Sequence, residues 1–433
     1  MSVFKQTARV AFYALVGFVL LACGGHGSTN NTPASVRVVN AAGSPVSLVF
    51  NGTNYLNGVP AQSASAYANI ANGTYTMSAV STNGTLSTVN SQTVSFGTGD
   101  FYTVLAYQRN GGLQEVIFPD NQATPASGFT ALRVLNAGQD PGALDIYVVA
   151  VGATLTTGQT PTVSFVGGGA LTTSLSVVSG TYQVIVTGFG NQSDVRLQIP
   201  QVTFASQGIL TLGLTSTSGG ALVDGVLIAQ GSTPTFFANT SSRVRLVAGI
   251  PNANSAVSTV AATIGSSTLS AIQSPTVGSY QLIPSGTQAL AITVDGTPIA
   301  GLTTIGPAAG ADYTLLVFGN STGPAVSILT DINQATAVSG NSNLRLVNAA
   351  LATGTLSLTV NFASVATGVT YGSASGYFGV PASSTSTVQV TSPLATFPAY
   401  TAANSVDLIS EGVYTMFVLG NSTTPIFVLN KDR

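Results

Sequence analysis

The side chains able to do chemistry are few and far apart. The 433-residue chain has one histidine, His26, and one cysteine, Cys23. A Ser–His–Asp or Cys–His centre needs a base beside its nucleophile, and zinc sites of the usual kind need clustered His and Cys. His26 stands in "GGHGSTNNTPA", a small, polar stretch that reads as a flexible tether. The thirteen acidic residues are spread singly, apart from loose pairs such as Asp140 with Asp145 and Asp407 with Glu411. Glycoside hydrolysis asks for two carboxylates roughly 5–10 Å apart in a cleft, and the spacing marks out no such pair. "DIN" (Asp331 to Asn333) and "PDNQ" (Pro119 to Gln122) offer oxygen ligands of the kind calcium takes, but Asp and Asn so placed read first as turn formers. "FVGGGA" (165–170) is followed by no helix bearing Lys–Ser/Thr, so it reads as a tight loop and not a phosphate cradle. The expectation is a non-enzymatic protein without cofactor or metal.

Cys23 takes its meaning from what precedes it. The chain starts "MSVFKQTARVAFYALVGFVLLACGG". Lys5 and Arg9 give a positive start. Val10 to Ala22 is an apolar run of thirteen residues, short of the roughly 20 that a membrane-spanning helix needs. "LLAC", Leu20 to Cys23, resembles a bacterial lipobox. That resemblance implies cleavage after Ala22 and lipid on Cys23. Each buried methylene contributes about 0.8 kcal/mol, so two or three acyl chains would hold the protein at the membrane permanently. Gly24 follows the cysteine where an Asp would resemble an inner-membrane retention signal, which favours the outer membrane. The expected location is the cell envelope, with a protein or glycan partner at the cell surface in view and a structural, adhesive or scaffolding role; the alternative is an envelope-anchored module that binds a glycan or small ligand.

Only 6% of residues are charged, against about 25% in an ordinary globular protein. Hydrophobic residues make up 45%, ample for burial. The net charge is −2, with no basic run, so nucleic-acid binding has no electrostatic footing. There is no tryptophan, the ring that sugar binding uses most.

The elements themselves repeat. "SVRVVNAA" (35–42), "ALRVLNAG" (131–138), "RVRLVAGI" (243–250) and "NLRLVNAA" (343–350) are versions of one phrase. Their arginines, Arg37, Arg133, Arg245 and Arg345, lie 96, 112 and 100 residues apart. A second phrase closes each unit: "GDFYTVLAYQRN", "SQGILTLGLTST", "GADYTLLVFGNST" and "EGVYTMFVLGNST". Alternation within "TYTMSAV" has the two-residue period of a half-buried strand. In the first unit strands are expected near 35–41, 46–51, 64–70, 74–80, 88–95, 101–107 and 113–118. Seven short strands in about 95 residues is the profile of an immunoglobulin-like sandwich. The second unit is the most divergent. The expected organisation is signal peptide 1–22, lipidated cysteine and tether 23–34, and sandwiches at 35–127, 128–236, 237–338 and 339–433, an all-β array of four. Alternate residues of the opening phrase, such as Leu344 and Leu346, should face the core. The arginines should point away from it and bond carbonyls or a carboxylate at a domain junction. Phe236 and Phe237 of "TFFAN" are expected to wedge between the second and third sandwiches. Asn320 and Asn421, in Asn-x-Ser/Thr triplets, are expected to serve as turn residues.

"RVVNAA", "YGSASGY" and "YTLLVFGNST" resemble the bacterial domain-of-unknown-function family numbered 4397. The resemblance covers nearly all of 35–433. It implies exported, surface-anchored proteins with tandem domains, and no established activity or site residue.

Overall fold

The opening phrase is a strand in all four units, buried on its inward face throughout and on its outward face too, except that Ala131 and Arg133 of the second unit and Asn343 of the fourth are only half-buried. In the computed structural model, residues 32–433 are described apart from 85–86, 89–90, 110–111, 139–141, 252–256, 337, 339, 395–396, 398 and 403–404. Cys23, Ala22, His26 and Asp140 therefore lie outside the described residues. Among the described residues the chain is all-β, and no helix is long and apolar enough to cross a membrane.

Two sheets enclose an apolar core in each unit. In the first, strand Ala34–Asn40 runs parallel to Phe101–Arg109, which turns back antiparallel into Gly112–Pro119. The facing sheet holds Thr53–Val59, Val46–Phe50, Gly73–Ser81 and Gln92–Phe96 in that spatial order. Val36 and Val38 point inward onto Leu48, Met77 and Val104. The other units repeat the plan: Leu132 and Val134, Val244 and Leu246, and Leu344 and Leu346 each enter the core of their own sandwich.

Strands alternate, so the residues between these face the opposite way. Val39 and Leu135 meet across the first and second sandwiches, with Leu105, Tyr107, Phe118, Val226 and Ile228. Val247 and Val347 meet across the third and fourth, with Leu316, Phe417 and Leu419. Each fully buried large apolar side chain contributes roughly 1.5–3 kcal/mol. The sandwiches are thus joined in pairs, sheet against sheet. The second and third meet differently, loop on loop: the Thr217 hydroxyl and Gly219 N–H both donate to Gly310 O (2.7 and 2.9 Å), and Asn333 N–H to Gly219 O (3.0 Å). A side chain on Gly220 would strike the Asn333 backbone, so glycine permits this approach.

Three expectations need correction. Strand Thr53–Val59 was not foreseen, because "TNYLNGV" is an edge strand with mixed exposure and no clean alternation. Thr235–Phe237 pairs with Val223–Ala229 inside the second sandwich, so that unit runs one residue beyond 236. Phe237 packs on the core of that sandwich and Phe236 on the first–second junction; neither wedges between the second and third.

Candidate functional site

The parallel pairing that opens each unit sets its arginine beside a threonine of the closing strand: Arg37 by Thr103, Arg133 by Thr211, Arg245 by Thr314, Arg345 by Thr415. Arg37, Arg245 and Arg345 donate through Nε to that hydroxyl, at 2.7, 2.8 and 3.0 Å. The threonine in turn donates to an aspartate at the end of the closing hairpin, Asp120, Asp331 or Asp432. A tyrosine ring covers the guanidinium: Tyr67 at 4.8 Å from Arg37, Tyr280 at 4.5 Å from Arg245, Tyr377 at 4.7 Å from Arg345. Such stacking favours the cation further. Tyr67 and Tyr280 also donate to the aspartate, at 2.6 and 2.5 Å.

The arginines then reach across the junctions. Arg245 Nη1 pairs with Asp432 of the fourth sandwich, and Arg345 Nη2 with Asp331 of the third. Arg245 Nη2 also lies 3.6 Å from its own unit's Asp331. The exchange is reciprocal and buried, with Arg245 and Arg345 each only 1% exposed. Burial alone would raise the Asp331 carboxyl. The Arg345 and Arg245 guanidiniums outweigh it and hold the group below the usual carboxylate range. Burial pushes Tyr67 up to about 12, with its hydrogen bond to Asp120 adding to the effect, so the phenol stays a donor.

The first–second junction is a weaker version. Arg37 donates to the Ser232 and Ala229 carbonyls of the second sandwich and lies 3.8 Å from Asp120. The second unit has Gln230 where the others have the aspartate. Gln230 instead exchanges amide hydrogen bonds with Gln122 of the first unit, accepting from its N–H at 3.1 Å and donating to its carbonyl at 3.3 Å. Arg133 keeps its threonine (3.0 Å) and lies over the Phe118 ring at 5.3 Å. Burial lowers its pKa, and Asp120 offsets this only in part.

A cleft of about 460 Å³ opens beside this junction, lined in part by Arg109, Asp224, Phe236 and Phe237. Arg109 lies over the glycines of "FVGGGA": a side chain on Gly169, whose φ is +77°, would strike its guanidinium. The glycine loop is a tight turn closed by Ala170 N–H to Gly167 O (3.0 Å).

Chemically the clasps are closed. Their cations and carboxylates are turned on one another, which suits holding two sheets in register. Asp120 and Asp331, expected as turn formers, are the acceptors of this network. Asn320 and Asn421 do shape turns, each accepting backbone N–H groups at the tip of a closing hairpin. The groups that sequence reasoning missed are the threonine, tyrosine and aspartate. The signal was present: in three units the aspartate stands seventeen residues after the threonine (103 and 120, 314 and 331, 415 and 432).

The fold and the repeated clasp define a tandem β-sandwich protein whose units pair through their opening strands. The sequence profile of the family described as "Domain of unknown function (DUF4397)" matches residues 34–147 and 242–359, and the chain belongs to that family. Each match starts at the opening strand of one partner and ends in the second strand of the other, so it takes in both opening strands of a pair. No functionally curated protein matches the sequence. Among solved structures the chain is similar to a candidate cell-adhesion protein from Bacteroides uniformis ATCC 8492, at 13% identity and a TM-score of 0.23, covering 48% of this chain and 99% of that one. It is also similar to one from Bacteroides eggerthii DSM 20697, at 12% identity and a TM-score of 0.21, covering 49% and 98%.

Proposed function

We propose that the protein is a non-enzymatic lipoprotein of the cell envelope, anchored through Cys23 and acting as a structural or adhesive array of four sandwiches. The observation that carries this reading is the pairing of sandwiches through their opening strands, sealed between the third and fourth by buried reciprocal ion pairs. Breaking a buried pair leaves a charge without its partner, at a cost of about 3–5 kcal/mol, so the two sheets are held to one arrangement. An array fixed in this way suits presenting a surface at a distance from an anchor. "LLAC" and the polar tether supply anchor and reach.

Protease treatment of intact cells beside a Cys23→Ala variant tests the reading. Cleavage of the sandwich body on intact cells, with the variant released from the membrane, is the expected result. Protection until the envelope is opened would remove the adhesive role, and a variant that stays membrane-bound would remove the lipid anchor.

A further inference from the structure

The second sandwich departs from its neighbours at one end, where two phenylalanines face solvent. Phe165 and Phe189 are 63% and 53% exposed. Their rings meet edge to face, with centroids 4.9 Å apart and planes at 75°. Phe165 has a φ of +54°, a left-handed conformation that strains a bulky side chain and persists only where its surroundings enforce it. Here the enforcing group is Asp145, a buried carboxylate. Its Oδ1 accepts from the Ser164 hydroxyl (2.8 Å) and the Phe165 N–H (3.0 Å), and its Oδ2 from the Gly190 N–H (2.9 Å). The Phe189 N–H is tied to Ala143 O at 3.0 Å. One side chain thus fixes both ring-bearing turns, the device expected of a preorganised contact surface. Phe189 borders an open depression of about 770 Å³, lined also by Tyr147, Leu155, Gln159, Thr160 and Gln192, with no Lys or Arg; Phe165 stands just outside it, against Phe189.

We infer that this corner is a binding site for a neutral saccharide. Aromatic rings offer flat apolar faces to the C–H side of a sugar, and amides and hydroxyls match its hydroxyl groups in both directions. The absence of a cation from the lining disfavours phosphate or carboxylate ligands. The lining mixes rings and aliphatic groups with hydroxyls and amides, which fits an amphipathic sugar better than a wholly apolar peptide seeking a hydrophobic groove. Asp145 is a positioning residue here, since both its oxygens are taken by the protein. The inference concerns the second sandwich alone and does not depend on where the body is displayed.

The test is binding of the full chain in detergent to an immobilised panel of neutral oligosaccharides, covering glucans, mannans, galactans, xylans and chitin-type chains. At least one class should be retained, and Phe165→Ala and Phe189→Ala should each weaken it by about tenfold or more. Phe362→Ala, which removes a 79% exposed ring on the fourth sandwich, should leave it unchanged. Asp145→Asn keeps both rings and should weaken binding while speeding amide exchange at Phe165 and Gly190. The inference is overturned if no neutral saccharide is retained, or if the Phe165 and Phe189 variants are retained as well as the unaltered chain.

Discussion

The third and fourth sandwiches trade charges across their junction, while the first and second trade amides and carbonyls. Both junctions use the same strand, the same outward arginine and an apolar strip beside it. They differ at one position of the closing hairpin, Asp331 and Asp432 in the later pair, Asp120 and Gln230 in the earlier. Loss of the carboxylate at position 230 leaves Arg37 on the Ser232 and Ala229 carbonyls, while Arg133 lies over a ring face although Asp120 is kept. The earlier junction in turn buries the larger aromatic pair, Tyr107 and Phe118. Apolar contact can therefore hold two sandwiches together without the full set of ions. The ions add a requirement for one register, because a slipped sheet would bury charges without partners.

The largest effect should come from Asp331→Ala, which strips two buried arginines of their shared acceptor. We expect a loss of about 3–5 kcal/mol, read as faster hydrogen exchange in the closing strands Asp312–Asn320 and Val413–Gly420. Near wild-type protection would mean that the apolar strip alone holds that pair. Arg37→Ala should cost less, about 1–3 kcal/mol, since it removes bonds to carbonyls and a longer ion pair. Equal losses for Arg37→Ala and Arg345→Ala would erase the distinction between the junctions.

A contrast of pH dependence sharpens it further. Asp331 has its carboxyl held down, so its contribution is present above the ordinary carboxylate pKa and lost as pH falls through the lower folded value. Glu115, buried in the first sandwich without a basic partner, is the opposite case: burial pushes it up to about 7. The folded state then keeps its proton longer than the unfolded chain. Stability is full below the ordinary Glu value of about 4.3 and declines as pH rises toward 7. Glu115→Gln should remove that decline, seen as a smaller drop in thermal midpoint between pH 5 and 8, by about 2–4 °C. A drop unchanged by the substitution would assign it to other groups. The smallest effect is expected of Gln230→Asp, which offers Arg37 the carboxylate that Asp432 gives Arg245 but gives up the Gln122 exchange. The net change in stability, read from urea unfolding, should be within about 1 kcal/mol. A gain well above that would show the earlier junction to be an impaired copy of the later one.

Much of this was legible from periodicity. The phrase around Leu344 and Leu346 declared an inward-facing alternation, and its fourfold recurrence declared the tandem array. The arginine's outward direction followed from the same two-residue period. Its partners did not, because they come from elsewhere in the chain: Thr415 is 70 residues from Arg345, and Asp432 is 187 from Arg245. Parallel pairing and sheet-on-sheet contact bring them together, and no local pattern encodes either. Phe236 and Phe237 were misplaced for a related reason: a three-residue edge strand is too short to show a period. The Phe165–Phe189 corner was hidden because its organiser, Asp145, stands about twenty residues from one ring and over forty from the other.

The exchange between Arg245 and Asp432, returned by Arg345 and Asp331, has one further consequence. Each partner offers the other the same residues from the same strands, which is the signature of an isologous contact related by a two-fold axis. Such a surface is complementary to itself. The later half of the chain is in that sense a homodimer whose subunits have been fused, and the earlier half is a heterodimer derived from the same plan, in which Gln230 has broken the symmetry.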